Sequence, residues 1–153
     1  VVKILVNGNS RKSIPKAAPY LEFSELFPQI MVLMGPKIYG GTDVTAQQFR
    51  VLRIIGHGSV TVGEISNHIN SKLSAAARLL RRLEVKGWIV KRQDENDRRV
   101  FWLELTEEGR QIMESLECRR EKVFQEMFDK LPITEQETIV RGIRLILKSL
   151  AED

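Results

Sequence analysis

A chain of 153 residues with 42% hydrophobic and 29% charged side chains is about one domain long and has the makeup of an ordinary globular protein, not a disordered one. Its single cysteine, Cys118, excludes an internal disulfide framework. No apolar run approaches the ~18 residues of a membrane span, so no membrane partner and a reducing cytoplasm are expected. The net charge is only +4, yet residues 71–99 hold nine basic side chains against four acidic ones, which leaves the rest of the chain near neutral. A basic stripe on a near-neutral body is an electrostatic footprint for a phosphate backbone.

Residues 1–19 mix Asn7, Gly8, Asn9, Ser10, Pro15 and Pro19 with Lys3, Arg11, Lys12 and Lys16, and sustain no period. They read as a flexible basic N-terminal arm. Residues 1–6 are apolar apart from Lys3 but too short for a secretory leader, and no small-residue cleavage site follows. Residues 21–39 place Phe23, Leu26, Phe27, Ile30, Met31, Leu33, Met34 and Ile38 at helical spacing over a wide arc. Pro28 should sit near the first turn or kink the helix, Pro36 should disturb its end, and Gly40-Gly41 should close it. A helix apolar over so much of its circumference needs burial on two sides, one within its own chain and one against a partner subunit.

The tetrad from Thr45 to Gln48 is a capping box, and Phe49, Leu52 and Ile55 mark the buried face of the helix it starts, with Val51 and Ile54 widening it. Gly56 and Gly58 should end that helix. Thr61 to Glu64 is a second capping box, opening a short helix with Ile65 and Ile69 inward. Asn70-Ser71 makes the next turn, and either residue can cap the helix that follows. Residues 74–86 are rich in Ala, Leu and Arg, with Leu73, Ala76, Leu80 and Leu83 expected inside. Gly87 takes the C′ position.

Residues 88–93 and 99–105 read as the arms of a hairpin, the second alternating Phe101, Leu103 and Leu105 with Val100, Trp102 and Glu104. The turn between them is Asp94-Glu95-Asn96-Asp97. Thr106 starts a long helix running to about Lys130, with Glu107 and Glu108 suited to its dipole. Leu131-Pro132 breaks it, and Thr134 to Glu137 is a third capping box, opening a last amphipathic helix with Ile139, Val140, Ile143, Ile146, Leu147 and Leu150.

The expected fold is mainly α (α+β). Residues 45–105 form a winged helix-turn-helix, and residues 21–39 and 106–150 form a helical dimerisation region. A basic helix followed by a basic hairpin is the layout that puts a helix in a major groove and a wing tip in the flanking minor groove. Double-stranded DNA is therefore the expected partner and a homodimer the expected state, presenting two helices to successive grooves ~34 Å apart.

Residues 45–55, 61–87 and 97–106 resemble the MarR family of transcriptional regulators. The wing signature is the most specific part: Asp97, Arg99, then Leu105 and Thr106 at the family spacing, with Arg82 to Val90 (Arg-Leu-Glu-Val-Lys-Gly-Trp-Ile-Val) also family-like. The resemblance implies a dimeric regulator, read as a repressor, on a pseudo-palindromic operator. It puts Arg99 in the minor groove and has Asp97 fix the wing through an ion pair to Arg98, Arg99 or a recognition-helix arginine. It also implies release by a small aromatic or lipophilic effector, for which Met31, Met34, Phe49 and Trp102 are candidate lining residues. Family members often carry hydroxyl residues before the recognition-helix arginine; here Ala75, Ala76 and Ala77 precede Arg78.

The candidate DNA contacts are Ser71, Lys72, Ser74, Ala75, Arg78, Arg81 and Arg82 on the helix, and Asp97, Arg98 and Arg99 on the wing. Arg78 is the candidate for a base edge, and the Ala methyls for thymine methyls. Lys72, Ser74 and Arg81 or Arg82 suit phosphates or the groove edge, while Arg82 could instead pair with Glu84 or a wing aspartate. Lys86, Lys91 and Arg92 read as general electrostatics. No nucleophile–base set, Walker loop or dinucleotide fingerprint is present, so an enzyme is not expected. His57 and His68 are too few for a structural zinc site, and no metal or cofactor is expected, although a regulatory site with carboxylates is an alternative. Cys118 lacks a resolving partner. The competing function is a winged-helix module for protein assembly.

Overall fold

The computed structural model describes residues 19–152. Two compact units divide between Met34 and Gly35. The expected basic arm lies outside the described residues, apart from Pro19.

Helix α1 (Pro19–Tyr39) runs through Pro28, which lies mid-helix and not near the first turn, and through Pro36, and ends just before Gly40-Gly41 as expected. A proline removes one N–H from the helix. The carbonyls four residues back belong to Ser24 and Val32, both exposed, so water can take their free lone pairs. Pro36 in turn accepts the amide of Gly40 at 2.9 Å. The turn that follows uses Gly41 at φ +76°, a left-handed conformation that favours glycine. In the first unit, Phe23 and Phe27 stack one turn apart with centroids at 5.6 Å. Phe23, Leu26, Phe27, Ile30 and Met31 are all exposed there.

The second unit is built on α2 (Ala46–Gly56), α3 (Val62–His68) and α4 (Leu73–Val85), with a small sheet, then α5 (Glu107–Phe128) and α6 (Ile133–Ala151). Both expected capping boxes at the starts of α2 and α3 are made in full. Thr45 and Gln48 exchange side-chain and backbone hydrogen bonds, as do Thr61 and Glu64. The two Thr61 donors hold the Glu64 carboxyl below its usual range.

Two other caps differ from expectation. α4 has Lys72 at its N-cap with no side-chain cap bond. Ser66 has already drawn Ser71 into the turn, accepting its amide at 3.0 Å and donating its hydroxyl to its carbonyl at 2.7 Å. Asn70 takes φ +48° in that turn, a left-handed conformation that Asn tolerates better than most side chains. α6 begins earlier than the Thr134 box, with Pro132 at its N-cap. There the Gln136 amide folds back on the carbonyls of Phe128 and Leu131 at 3.0 and 2.9 Å, closing the turn in place of a hydroxyl cap.

The sheet has three antiparallel strands in the order β1 (Val60–Thr61), β3 (Phe101–Leu105), β2 (Ile89–Gln93). Strand β1 has only two residues and no sequence period of its own. It pairs Val60 with Leu103 and Thr61 with Trp102, while β2 pairs Ile89 with Leu105 through to Gln93 with Phe101. The core gathers Leu52, Ile65, Leu80, Leu83, Ile89 and Leu103, all essentially without solvent contact. Leu73 departs from expectation: at the first position of α4 it points outward, 58% exposed, and Leu79 is buried instead.

α5 is fixed to the sheet at its first turn. Thr106 caps it, accepting from the Gly109 amide at 3.0 Å and donating to the Gly87 carbonyl at 2.6 Å. Gly109 has no room for a side chain, since a Cβ there would lie 1.9 Å from the Trp88 carbonyl oxygen. α6 has no buried residue, although Ile139, Val140, Ile143, Leu147 and Leu150 make it strongly amphipathic. No described helix is long and apolar enough to cross a membrane.

Candidate nucleic-acid interface

The turn from α3 to α4 sets the geometry of the interface. Ile65 of α3, Ile69 at its C-cap, and Ala76, Leu79, Leu80 and Leu83 of α4 belong to one buried cluster. Helical periodicity then forces the opposite side of α4 outward. Lys72, Ser74, Arg78, Arg81 and Arg82 are exposed on it, with Ala75 and Ser71 half-buried at its edge. Lys72, Arg78, Arg81 and Arg82 have no ion-pair partner among the described residues. Arg82 does not take Glu84, because Lys91 holds that carboxylate at 3.0 Å.

The three basic residues expected to act as general electrostatics are each ion-paired within the chain. Lys86 donates to the Asp43 carboxylate at 2.7 Å and lies 4.2 Å from the centre of the Trp88 ring. Lys91 pairs with Glu84 across α4 and β2, and Arg92 pairs with Glu104 across the β2–β3 ladder at 2.8 Å. Sequence alone does not separate these from outward-facing charges, because their acids are distant or on another strand. The positive charge without an ion-pair partner among the described residues is therefore narrower than the stripe in the sequence and centres on α4, with Arg99 of the wing paired to Asp97.

In the wing, Asp97 selects Arg99. Its Oδ1 accepts the Arg99 amide at 2.9 Å and Nε at 3.2 Å, and its Oδ2 accepts Nη2 at 3.3 Å. These bonds, the guanidinium first, hold the Asp97 carboxyl below its ordinary range. The Arg99 side chain is held at its base yet stays 91% exposed. Arg98 is also exposed, and its carbonyl accepts from the Gln93 amide at 2.6 Å. A second carboxylate that the sequence reading passed over, Asp94, takes the Trp102 indole N–H at 2.7 Å and the amides of Asn96 and Asp97. The Asp at the start of a four-residue polar turn was the available signal.

Two of the candidate effector residues, Phe49 and Trp102, belong to the second unit. Phe49 is core, packed edge-on to Tyr39, and Trp102 is tied to the wing turn. A cavity of about 450 Å³ lies elsewhere in this unit, lined by Asp43, Val44, Trp88, Glu108, Ile112 and Leu116 among others. Arg53, Glu117 and Arg120 form an ion-paired cluster joining α2 to α5. Burial raises the nearby Tyr39 hydroxyl above its ordinary value despite the two arginines. No three His, Cys, Asp or Glu side chains gather to hold a metal among the described residues; His68 lies within electrostatic reach of Glu64, one turn earlier on α3. Cys118 is exposed on α5.

Known proteins share this arrangement. The MarR family model matches residues 44–101. The chain is 35% identical over 107 residues to the multiple antibiotic resistance protein MarR of Salmonella typhimurium, covering 69% of this chain and 74% of that one. It is also 35% identical over 91 residues to the uncharacterized HTH-type transcriptional regulator YwhA of Bacillus subtilis, covering 59% of this chain and 66% of YwhA, so it spans just under two thirds of that relative. Among solved structures, a mutant MarR from E. coli complexed with operator DNA superposes with a TM-score of 0.68 at 27% identity, covering 84% of this chain and 94% of that one. With more than two thirds of that Salmonella MarR covered at 35% identity, the chain belongs to the MarR family.

Proposed function

We propose that the protein is a sequence-specific DNA-binding transcriptional regulator, a repressor that binds a pseudo-palindromic operator as a homodimer. The observation that carries this reading is the pairing of two exposed basic elements on one small domain. One is the outer side of α4, where Lys72, Arg78, Arg81 and Arg82 have no ion-pair partner among the described residues. The other is Arg99, clasped by Asp97 and 91% exposed. α4 enters the major groove, with Arg78 on a base edge and Lys72, Ser74 and Arg81 or Arg82 at phosphates or the groove edge; the Ala75 methyl suits a thymine methyl. Ser71 lies at the entry to this helix, and Arg98 and Arg99 reach the flanking minor groove. The homodimer reading is supported by α6, whose exposed Ile139, Val140, Ile143, Leu147 and Leu150 are too apolar for a solvated helix.

Release by a small aromatic or lipophilic effector belongs to the same reading. The cavity beside Trp88, Ile112 and Leu116 is within the size range of small-molecule sites. It also touches α5, through which a ligand can act on the winged domain.

The test is selection of genomic fragments by the purified protein at ~150 mM salt, in parallel with Arg99→Ala. Enrichment of an inverted repeat that the variant recovers poorly is the expected result. No enriched sequence, or equally weak binding by both proteins, would overturn the proposal and favour a winged-helix module for protein assembly. The row of small residues Ala75, Ala76 and Ala77 keeps that second reading open. DNA binding falls steeply with salt as counterions are released, whereas protein docking need not.

A further inference from the structure

We propose that Trp102 is a positioning residue for the wing arginine, acting on Arg99 through two successive carboxylates. The inference rests on reading the wing as a DNA contact. Trp102 lies on β3, the middle strand, paired with Thr61 of β1 on one side and Arg92 of β2 on the other. It is therefore a fixed point of the wing. Its indole N–H reaches 2.7 Å across the hairpin to Asp94 Oδ2, eight residues earlier in the chain. The other oxygen of Asp94 accepts the amides of Asn96 and Asp97 at 2.8 and 2.9 Å, which sets the path of the turn and the position of Asp97. Asp97 then clasps the Arg99 amide and guanidinium.

The backbone closes the turn by itself, through Asp94 N–H to the Val100 carbonyl at 3.0 Å and Val100 N–H to the Asp97 carbonyl at 2.9 Å. Without the indole donor, Asp94 keeps the two turn amides on Oδ1, but its Oδ2 loses its anchor on β3. Asp97, bonded to Asp94 through its amide, is then held less firmly against the sheet, and with it the origin of Arg99. An exposed arginine on a wandering loop pays more ordering entropy on entering a groove than one already held in place. Phenylalanine at 102 keeps an aromatic ring on the strand, smaller than the indole and without a donor. Trp102 thus affects DNA affinity without touching DNA.

A double-mutant cycle on a selected operator tests this with Trp102→Phe, Arg99→Ala and the double variant. Trp102→Phe is expected to weaken binding about fivefold in the parent protein, the worth of roughly one net hydrogen bond, and to change nothing once Arg99 is alanine. Asp94→Ala should behave in the same way, and it keeps the test sound if Trp102→Phe disturbs the sheet. Denaturant unfolding of each variant reports stability separately. An equal loss in both backgrounds would overturn the proposal, because Trp102 would then act by another route. So would an intact Trp102→Phe beside a weakened Arg99→Ala. If Arg99→Ala itself binds like the parent protein, the wing reading falls first and this proposal falls with it.

Discussion

α4 and α6 are both strongly amphipathic helices of the same unit, and they end in opposite circumstances. α4 sets Ala76, Leu79, Leu80 and Leu83 into the shared core and turns its arginines outward. α6 is amphipathic too, yet none of its residues is fully buried. Amphipathicity states that a helix needs a partner but does not say which. For α4 the partner is the chain's own sheet and α3. For α6, the proposed dimer supplies it from a second copy.

The strongest challenge to that contrast is Ile143→Asp in the middle of the exposed α6 row. It should yield a monomer by sedimentation with unchanged helical content. Operator affinity should fall at least ~100-fold, because two half-sites are no longer bound together. A dimeric, fully active Ile143→Asp protein would show that something else covers α6. On α4, Leu83→Ala opens a cavity in the core and should cost about 3 kcal/mol in denaturant unfolding at fixed protein concentration. A loss under ~1 kcal/mol would mean that the buried side of α4 is as dispensable as the surface positions.

Arg78→Ala, on the outer side of the same helix, sharpens the comparison further. It should leave the unfolding midpoint unchanged and reduce operator affinity by about 1–3 kcal/mol in a direct binding titration, with relaxed preference at one base pair. An equal loss on every sequence would reassign Arg78 to a phosphate.

The smallest expected effect is a pH response in the wing. Asp94 and Asp97 are held below the ordinary carboxylate range, by the Trp102 indole and by the Arg99 guanidinium respectively. A depressed folded value means that their contribution is complete above the unfolded pKa and is lost as pH falls through the folded one. The Trp102 indole N–H resonance, identified by its absence in Trp102→Phe, should stay fixed down through about pH 4 and shift only below it. A shift centred at or above that pH would show that the strap is not made in solution.

Local chemistry was the most legible part of the fold. The boxes at Thr45 and Thr61 need only residues three apart, and both form as read from sequence. The caps of α4 and α6 were misread because the deciding partners lie elsewhere: Ser66 claims Ser71, and Gln136 claims the end of α5. β1 was invisible because two residues cannot show a period, and its pairing is with a strand some forty residues on. In the candidate interface, Arg78 and Arg99 were legible as exposed basic residues. The partners of Lys86, Lys91 and Arg92 were not, because each ion pair crosses between elements.

Gly109 gives the molecule a mechanical property. With the Trp88 carbonyl pressed against its α-carbon, and Thr106 bonded to Gly87 and Trp88, the start of α5 is a weld rather than a hinge. A helix of 22 residues is about 33 Å long. α5 is also tied to α2 by the Arg53–Glu117 ion pair and buries Leu116, so its first half is built into the winged domain. A tilt imposed at its far end would then be passed to that domain as a whole, and the close approach that only a glycine permits at 109 opposes bending at the joint.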